Sequence, residues 1–301
     1  MIMLSLKTIS SLVDAAAERF PSRLALISPL QSTFERKTYL ELCQITNALA
    51  GWLSNYGFER NNLLISDLPN IAENLMLQIA CNRLGVGYGT AKSFEKMNDT
   101  FSKVKGAVSS TGTGFLAETA LSLPYISGDF LVNLINNGGL DEFQDTRLDE
   151  GGEDSGHGFY NTASPYTNRQ ALEHGKDAAK ELHITKEDVV CISITLCHPF
   201  GLGSAVCSAF ETGAAIVLPA VGGILGCGVP TERAEATLKV LESEKCSLLF
   251  ADTHTLESLP PAPPGLHLRG GACKVGSGAT FLEETRSYGG VTLRAVGKAN
   301  P

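Results

Sequence analysis

In this chain of 301 residues, the side chains suited to chemistry fall in a few short stretches, and the first is Cys197-His198. An imidazole titrates near neutrality, and a thiol beside it could act as a nucleophile. Adjacent residues on a strand point to opposite faces, however, so these two do not make a catalytic pair there. The plainer reading of His198 is a hydrogen-bonded imidazole at a strand end, with no Ser, Asp or Cys partner placed near it. Between residues 138 and 158 lie Asp141, Glu142, Asp145, Asp149, Glu150, Glu153 and Asp154 against Arg147 alone, with glycines at both ends. Such a run reads as a solvated linker, because a hard cation needs carboxylates that converge on a rigid frame. Val275-Gly276-Ser277-Gly278-Ala279 has a G-x-G without the third glycine or the βαβ setting of a dinucleotide site, and reads as a turn.

The eight cysteines, at 43, 81, 191, 197, 207, 227, 246 and 273, form no C-x-x-C pair, so zinc and thioredoxin spacings are absent. Most sit in apolar runs, as small buried hydrophobes of a reducing compartment do. No metal site is expected.

Lys+Arg 24 against Asp+Glu 32 leaves a net charge of −8, with no long-range attraction to nucleic acid or anionic lipid. No direct nucleic-acid site is therefore expected. Hydrophobic residues at 43% and charged residues at 19% exclude collagen-like, disordered and coiled-coil chains. Val189–Phe210 and Thr212–Thr231 lack Lys, Arg, Asp and Glu, yet His198-Pro199 breaks the first. Pro219 and glycines 222, 223, 226 and 228 break the second. Both read as buried strand–loop–strand segments, so no transmembrane segment is expected. The N-terminus carries one cation, Lys7, before Asp14 and no cleavage pattern, so it is not a secretory signal. The expected compartment is mitochondrial or cytoplasmic.

These groups must be held by regular elements. Apolar spacing predicts helices over Ile9–Arg19, Leu40–Tyr56 and Ile71–Leu84, the last amphipathic and closed by Gly85. Strands are expected at Leu24–Ser28 and Leu63–Ser66. After the acidic stretch the alternation restarts, with helices at Arg169–Leu182, Leu202–Thr212 and Glu232–Glu244. Strands at Asp188–Thr195, Ala214–Leu218 and Ser247–Ala251 lie between and after them, and Pro260-Pro261-Ala262-Pro263-Pro264 is a stiff connector. The alternation argues for an α/β protein of layered sheets flanked by helices. The expected division is a first α/β subdomain at 1–137, the linker at 138–158 and a second subdomain at 159–301.

The order of these pieces resembles the N-terminal domain of the adenylate-forming acyl-CoA synthetases. Leu12-Val13-Asp14-Ala15-Ala16-Ala17-Glu18-Arg19-Phe20-Pro21 opens the resemblance, and Thr38-Tyr39-Leu40-Glu41-Leu42 is similar to the family's T-Y-x-E-L. Leu68-Pro69-Asn70-Ile71-Ala72-Glu73 is similar to L-P-N-s-x-E, and Leu196-Cys197-His198-Pro199-Phe200-Gly201 to P-L-F-H-x-x-G. Glu211-Thr212-Gly213-Ala214-Ala215-Ile216-Val217-Leu218 and Leu268-Arg269-Gly270-Gly271-Ala272 follow in the family's order. The resemblance implies ATP, Mg²⁺ and CoA as cofactors of an active member, and it places His198 near the acyl pocket.

The family's phosphate loop, Y-T-S-G-T-T-G-x-P-K-G, aligns with Tyr160-Asn161-Thr162-Ala163-Ser164-Pro165-Tyr166-Thr167-Asn168-Arg169-Gln170. Ala163, Tyr166 and Gln170 replace its three glycines, whose role is to let backbone N–H groups face the anion. Pro165 removes a donor, and Arg169 stands at the lysine position. Thr162, Ser164 and Arg169 are what remains of a nucleotide site. Tyr288-Gly289-Gly290-Val291-Thr292 keeps the Tyr-Gly of the family's Y-G-x-T-E without its acid. The chain also stops at Pro301, before the family's T-G-D and its mobile C-terminal domain, so the expected fold is a truncated one. The expectation is a catalytically inactive synthetase-like protein with no catalytic residues and no cofactor. Its role would be that of a structural or docking subunit among other protein subunits. A divergent ATP-dependent acyl-CoA ligase and a non-catalytic acyl- or CoA-binding module are the alternatives.

Overall fold

The computed structural model describes residues 7–31, 34, 36–90, 104–109, 124–143, 159–160, 166–196, 198–219 and 229–298. Strands β1 (Leu24–Ile27), β8 (Val189–Ser193), β9 (Ala215–Val217), β10 (Leu248–Asp252), β11 (Gly270–Lys274) and β13 (Val291–Gly297) run parallel in one sheet. Antiparallel strands β2 (Lys37–Thr38) and β12 (Thr280–Tyr288) close its two edges, giving the order β12-β13-β11-β10-β8-β9-β1-β2. A second, all-parallel sheet has the order β6-β5-β3-β4-β7, with β3 (Leu63–Ser66) between β4 (Gly87–Thr90) and β5 (Val104–Ser109). Its outer strands are β6 (Tyr125–Ser127) and β7 (Phe159–Tyr160).

The period of two along a strand sorts the larger sheet into two cores. Val190, Ile192, Ile216, Leu248, Phe250 and Ala272 face one core, and Cys191, Val217, Leu249, Ala251 and Cys273 face the other. The first core also takes in Leu64, Tyr88 and Val108 of the second sheet. Between the sheets it is filled by α1 (Ile9–Arg19), α2 (Tyr39–Asn55), α3 (Ala72–Leu84), α5 (Asn168–Glu181) and a π-helix, Pro199–Cys207, that runs on into α6 (Ser208–Thr212). α4 (Gly128–Asn136) adds Leu131 and Ile135 at the margin of this core. The second core is covered by Val240 and Leu241 of α7 (Pro230–Ser243). The chain is thus the α/β layering that the alternation predicts.

Caps explain several helix starts. Thr38 and Glu41 of the T-Y-x-E-L segment form a reciprocal capping box, while the Tyr39 hydroxyl donates to the carbonyl of Ala214 at 2.6 Å. The segment therefore both starts α2 and ties it to the larger sheet.

Helix α3 differs from its amphipathic expectation: Ala72 through Arg83 are all buried. Its polar residues act as internal connectors rather than a solvated face. Arg83 makes a fork to Asp14 at 2.6 and 2.9 Å, and Glu73 accepts from Asn136 at 2.8 Å and from Gln31. The helix expected over Leu202–Thr212 begins earlier, because Pro199 fits its first turn and His198 caps it. Between Gly85 and the acidic stretch, where no element is expected from sequence, lie β4, β5, β6 and α4.

The sheets cross the expected boundary. β1 and β2 join the strands of the C-terminal half, and β7 joins those of the N-terminal half. The division into 1–137 and 159–301 is one of sequence order and does not separate the two sheets. Of the linker at 138–158, residues 138–143 form a turn and a 3-10 turn over Asp141–Phe143, and 144–158 lie outside the described residues. Among the described residues, no helix is long and apolar enough to cross a membrane.

Candidate functional site

In open parallel sheets ligands bind beyond the carboxyl ends of the strands. Here the carboxyl ends of the two sheets meet at one residue. Asn70, in the turn after β3, donates from Nδ2 to the carbonyl of Ile194 at 2.6 Å. Its Oδ1 accepts the N–H of Leu196 at 3.0 Å, just beyond β8. One carboxamide therefore pairs with the backbone of the other sheet as a neighbouring strand would, and fixes the path of the chain into His198.

His198 is 8% exposed and caps the π-helix through Nδ1, which accepts the N–H of Gly201 at 3.2 Å. With Nδ1 an acceptor, the ring proton of the neutral imidazole sits on Nε2. Burial, and then the ammonium of Lys274, push the His198 pKa down to about 3, against a weaker pull from Asp252. The ring is thus neutral at physiological pH and is stacked on Phe200 at 6.4 Å between centroids. Gly201 is required here, since a Cβ at that position would collide with the carbonyl oxygen of Thr195.

Asp252, at the end of β10, caps the short helix α8 (Thr253–Ser258) by accepting from the N–H and the hydroxyl of Thr255, both at 2.7 Å. Both of its oxygens also accept from Arg233 Nη2, at 3.0 and 3.1 Å, in a pair that is buried on both sides. Lys274 ends β11, and the Thr253 hydroxyl donates to its carbonyl at 3.1 Å. Asp252 and Lys274 thus end the adjacent strands β10 and β11, and His198 follows the end of β8, the other neighbour of β10. Asp252, Arg233 and Lys274 are not among the residues expected at the site from sequence. Asp252 could have been found as an aspartate closing a buried apolar run and preceding Thr253, a helix N-cap signal.

Of the residues expected at the nucleotide site, Thr162 and Ser164 lie outside the described residues. Arg169 is exposed in the first turn of α5, and Gln170 is a helical residue too. Thr167 caps this helix: its hydroxyl accepts from the N–H of Gln170 at 3.2 Å, and Gln170 Oε1 accepts from the N–H of Thr167 at 3.0 Å. Tyr166 is buried, with its hydroxyl 2.5 Å from His174 Nδ1 and its ring packed over Gly203 of the π-helix. Arg169 and His198 therefore stand on two helices that pack together, one in the first turn of α5 and the other capping the π-helix. Cys197 lies outside the described residues.

Tyr288 is elsewhere. Gly289 and Gly290, at φ 58° and 80°, form a two-residue hairpin turn that begins β13, at the end of the sheet opposite His198. The segment aligned with Y-G-x-T-E therefore does not share the site of His198. The Val275–Ala279 segment is the turn that was expected, between β11 and β12.

No protein-family model matches the sequence, and no curated protein matches it. Solved structures do resemble it. VinN shares 18% identity at a TM-score of 0.68, over 89% of this chain and 69% of that one. The N-terminal domain of FACL13 from Mycobacterium tuberculosis shares 17% at a TM-score of 0.68, over 89% of this chain and 70% of its own. A Mycobacterium tuberculosis fatty acyl CoA synthetase shares 17% at a TM-score of 0.67, and this chain spans 55% of its length. The protein has the fold of the N-terminal domain of the adenylate-forming acyl-CoA synthetases.

Proposed function

We propose that the protein is a catalytically inactive acyl-CoA synthetase-like protein that serves as a structural or docking subunit of a larger assembly, in the mitochondrion. The observation that carries this reading is the start of α5. At the places aligned with the variable residue and the last glycine of a phosphate loop, the chain closes a helix cap on itself through Thr167 and Gln170. A phosphate at a helix N-terminus needs such amides free. This engaged cap supports a turn that does not cradle a phosphate, and no catalytic step is assigned to it. His198 adds support: its Nδ1 is engaged by its own helix and burial keeps the ring neutral, so it serves the fold as a cap.

The test combines size and ligand binding. The untagged protein from its own source is run on a native gel, and co-migrating chains are identified by mass spectrometry. Migration far above 31.9 kDa with fixed partners is expected. With Mg²⁺-ATP at about one hundred times a working Kd, a binder would gain about 2.7 kcal/mol of stability. No such rise in Tm is expected here, and Arg169→Ala should leave the result unchanged. Acyl-adenylate formation that depends on Arg169 would overturn the reading.

A further inference from the structure

We propose that the exposed edge of the proline-rich segment 259–264 docks into an aromatic-lined groove on a partner protein; this rests on the docking-subunit reading. Proline fixes its own φ near −65° and drives the residue before it to an extended ψ. In Leu259-Pro260-Pro261-Ala262-Pro263-Pro264 these two constraints cover nearly every residue. Leu259 has φ −61° and ψ 133°, the dihedrals of a polyproline II helix. Such a helix has three residues per turn, so Pro261 and Pro264 share one edge, about 9 Å apart.

Burial follows the same period. Pro261 and Pro264 are exposed, whereas Pro260, Ala262 and Pro263 are half-buried. The inward edges are held by the protein itself. Leu259, Ala262 and Leu266 pack against the second core, and the Tyr288 hydroxyl donates to the Pro260 carbonyl at 2.9 Å. A Cβ at Gly289 would meet the Ala262 methyl at 2.6 Å, so the hairpin turn and the segment are in close contact. The chain thus presents a P-x-x-P edge, Pro261 to Pro264, in a segment that its prolines restrict toward the conformation that aromatic grooves recognise. Because the segment is ordered before binding, docking forgoes the entropy that a free proline-rich peptide loses. The chemistry of the partner follows: a groove of Trp or Tyr rings spaced to receive two prolines three residues apart.

The test uses the full chain in its source cells. A benzophenone photo-crosslinker is placed at position 261, and the joined peptide is sequenced from the native assembly. Separately, the double variant Pro261→Glu/Pro264→Glu is compared with the equally exposed Thr231→Glu as a charge control. The expected result is a crosslinked partner peptide bearing Trp, Tyr or Phe. The double variant should co-migrate with the assembly about tenfold less, near 1.4 kcal/mol, while T231E co-migrates normally. An unchanged Tm of the isolated double variant would show that the loss is not unfolding. If the wild type sits in an assembly but the double variant stays with it, or the crosslink reaches no aromatic groove, this inference falls and the docking reading stands. If the wild type is a free monomer, both fall.

Discussion

The carboxamides of Asn82 and Asn168 meet at 2.8 Å between α3 and α5, and together they cap a third helix. Asn168 Oδ1 accepts the N–H of Ile9 at 3.1 Å, and Asn82 Oδ1 accepts the N–H of Ser10 at 2.9 Å. The first amides of α1, which its own backbone cannot satisfy, are thus bonded by side chains 72 and 159 residues away.

Asn168→Ala removes one acceptor shared by two buried donors, the N–H of Ile9 and the amide of Asn82. At about 1–3 kcal/mol for each stranded group, a loss of about 2–6 kcal/mol is expected. Urea unfolding should show it as a lower midpoint with an unchanged m-value. A loss below about 0.5 kcal/mol would mean that this network does not hold α1.

Stability should fall with acid because of His198. Its imidazole titrates near 6.5 in an unfolded chain, and burial takes it to about 3 in the folded one. The folded state therefore holds fewer protons between these values, so the contribution is complete above pH 6.5 and is lost as pH falls toward 3. Asp188 acts lower on the scale. Burial raises its pKa, but hydrogen bonds from Arg269, Ser247 and Thr185 outweigh this and hold it below the ordinary carboxylate value. Its contribution is present above about 4 and is lost below that. His198→Asn keeps a cap acceptor and removes the titration. The unfolding free energy of H198N should fall less steeply than that of the wild type between about pH 6.5 and 4. Parallel curves would refute the assignment.

Two glycines should respond differently to alanine. Gly201→Ala drives a methyl into the Thr195 carbonyl, a backbone atom held next to the Asn70 clamp, and about 1–3 kcal/mol or more should be lost. Gly276→Ala meets nothing within 4 Å and should stay within about 0.5 kcal/mol. Thermal melts of the two variants side by side decide this.

What the sequence reveals follows from how local the cause is. α1, α2 and α3 are legible because apolar period and capping residues lie within one segment, as Thr38 and Glu41 show. β4 is not, since Gly-Tyr-Gly-Thr carries no strand signal and is held by pairing with Leu63–Ser66. The polar residues of α3 read as a wet face because their partners, Asp14, Asn136 and Asn168, come from distant segments. At the site, His198 is legible from its motif. Asp252 and Lys274 join it only through strand order, which no spacing in the chain encodes. Tyr288 is misplaced for a related reason: a Tyr-Gly pair reads alike at either end of a strand, and only the register of β13 shows which end it occupies.

The strand exchange sets a timetable for synthesis. Leu26 of β1 pairs with Ile216 of β9, so the ribosome must add 190 residues (216 − 26) before the first strand finds its neighbour. At about 5–20 residues per second that wait is roughly 10–40 s. During it, the apolar Ala25-Leu26-Ile27 run has only the two-residue β2 beside it. One side of this apolar strand therefore stays without its β9 partner until Ile216 has been made.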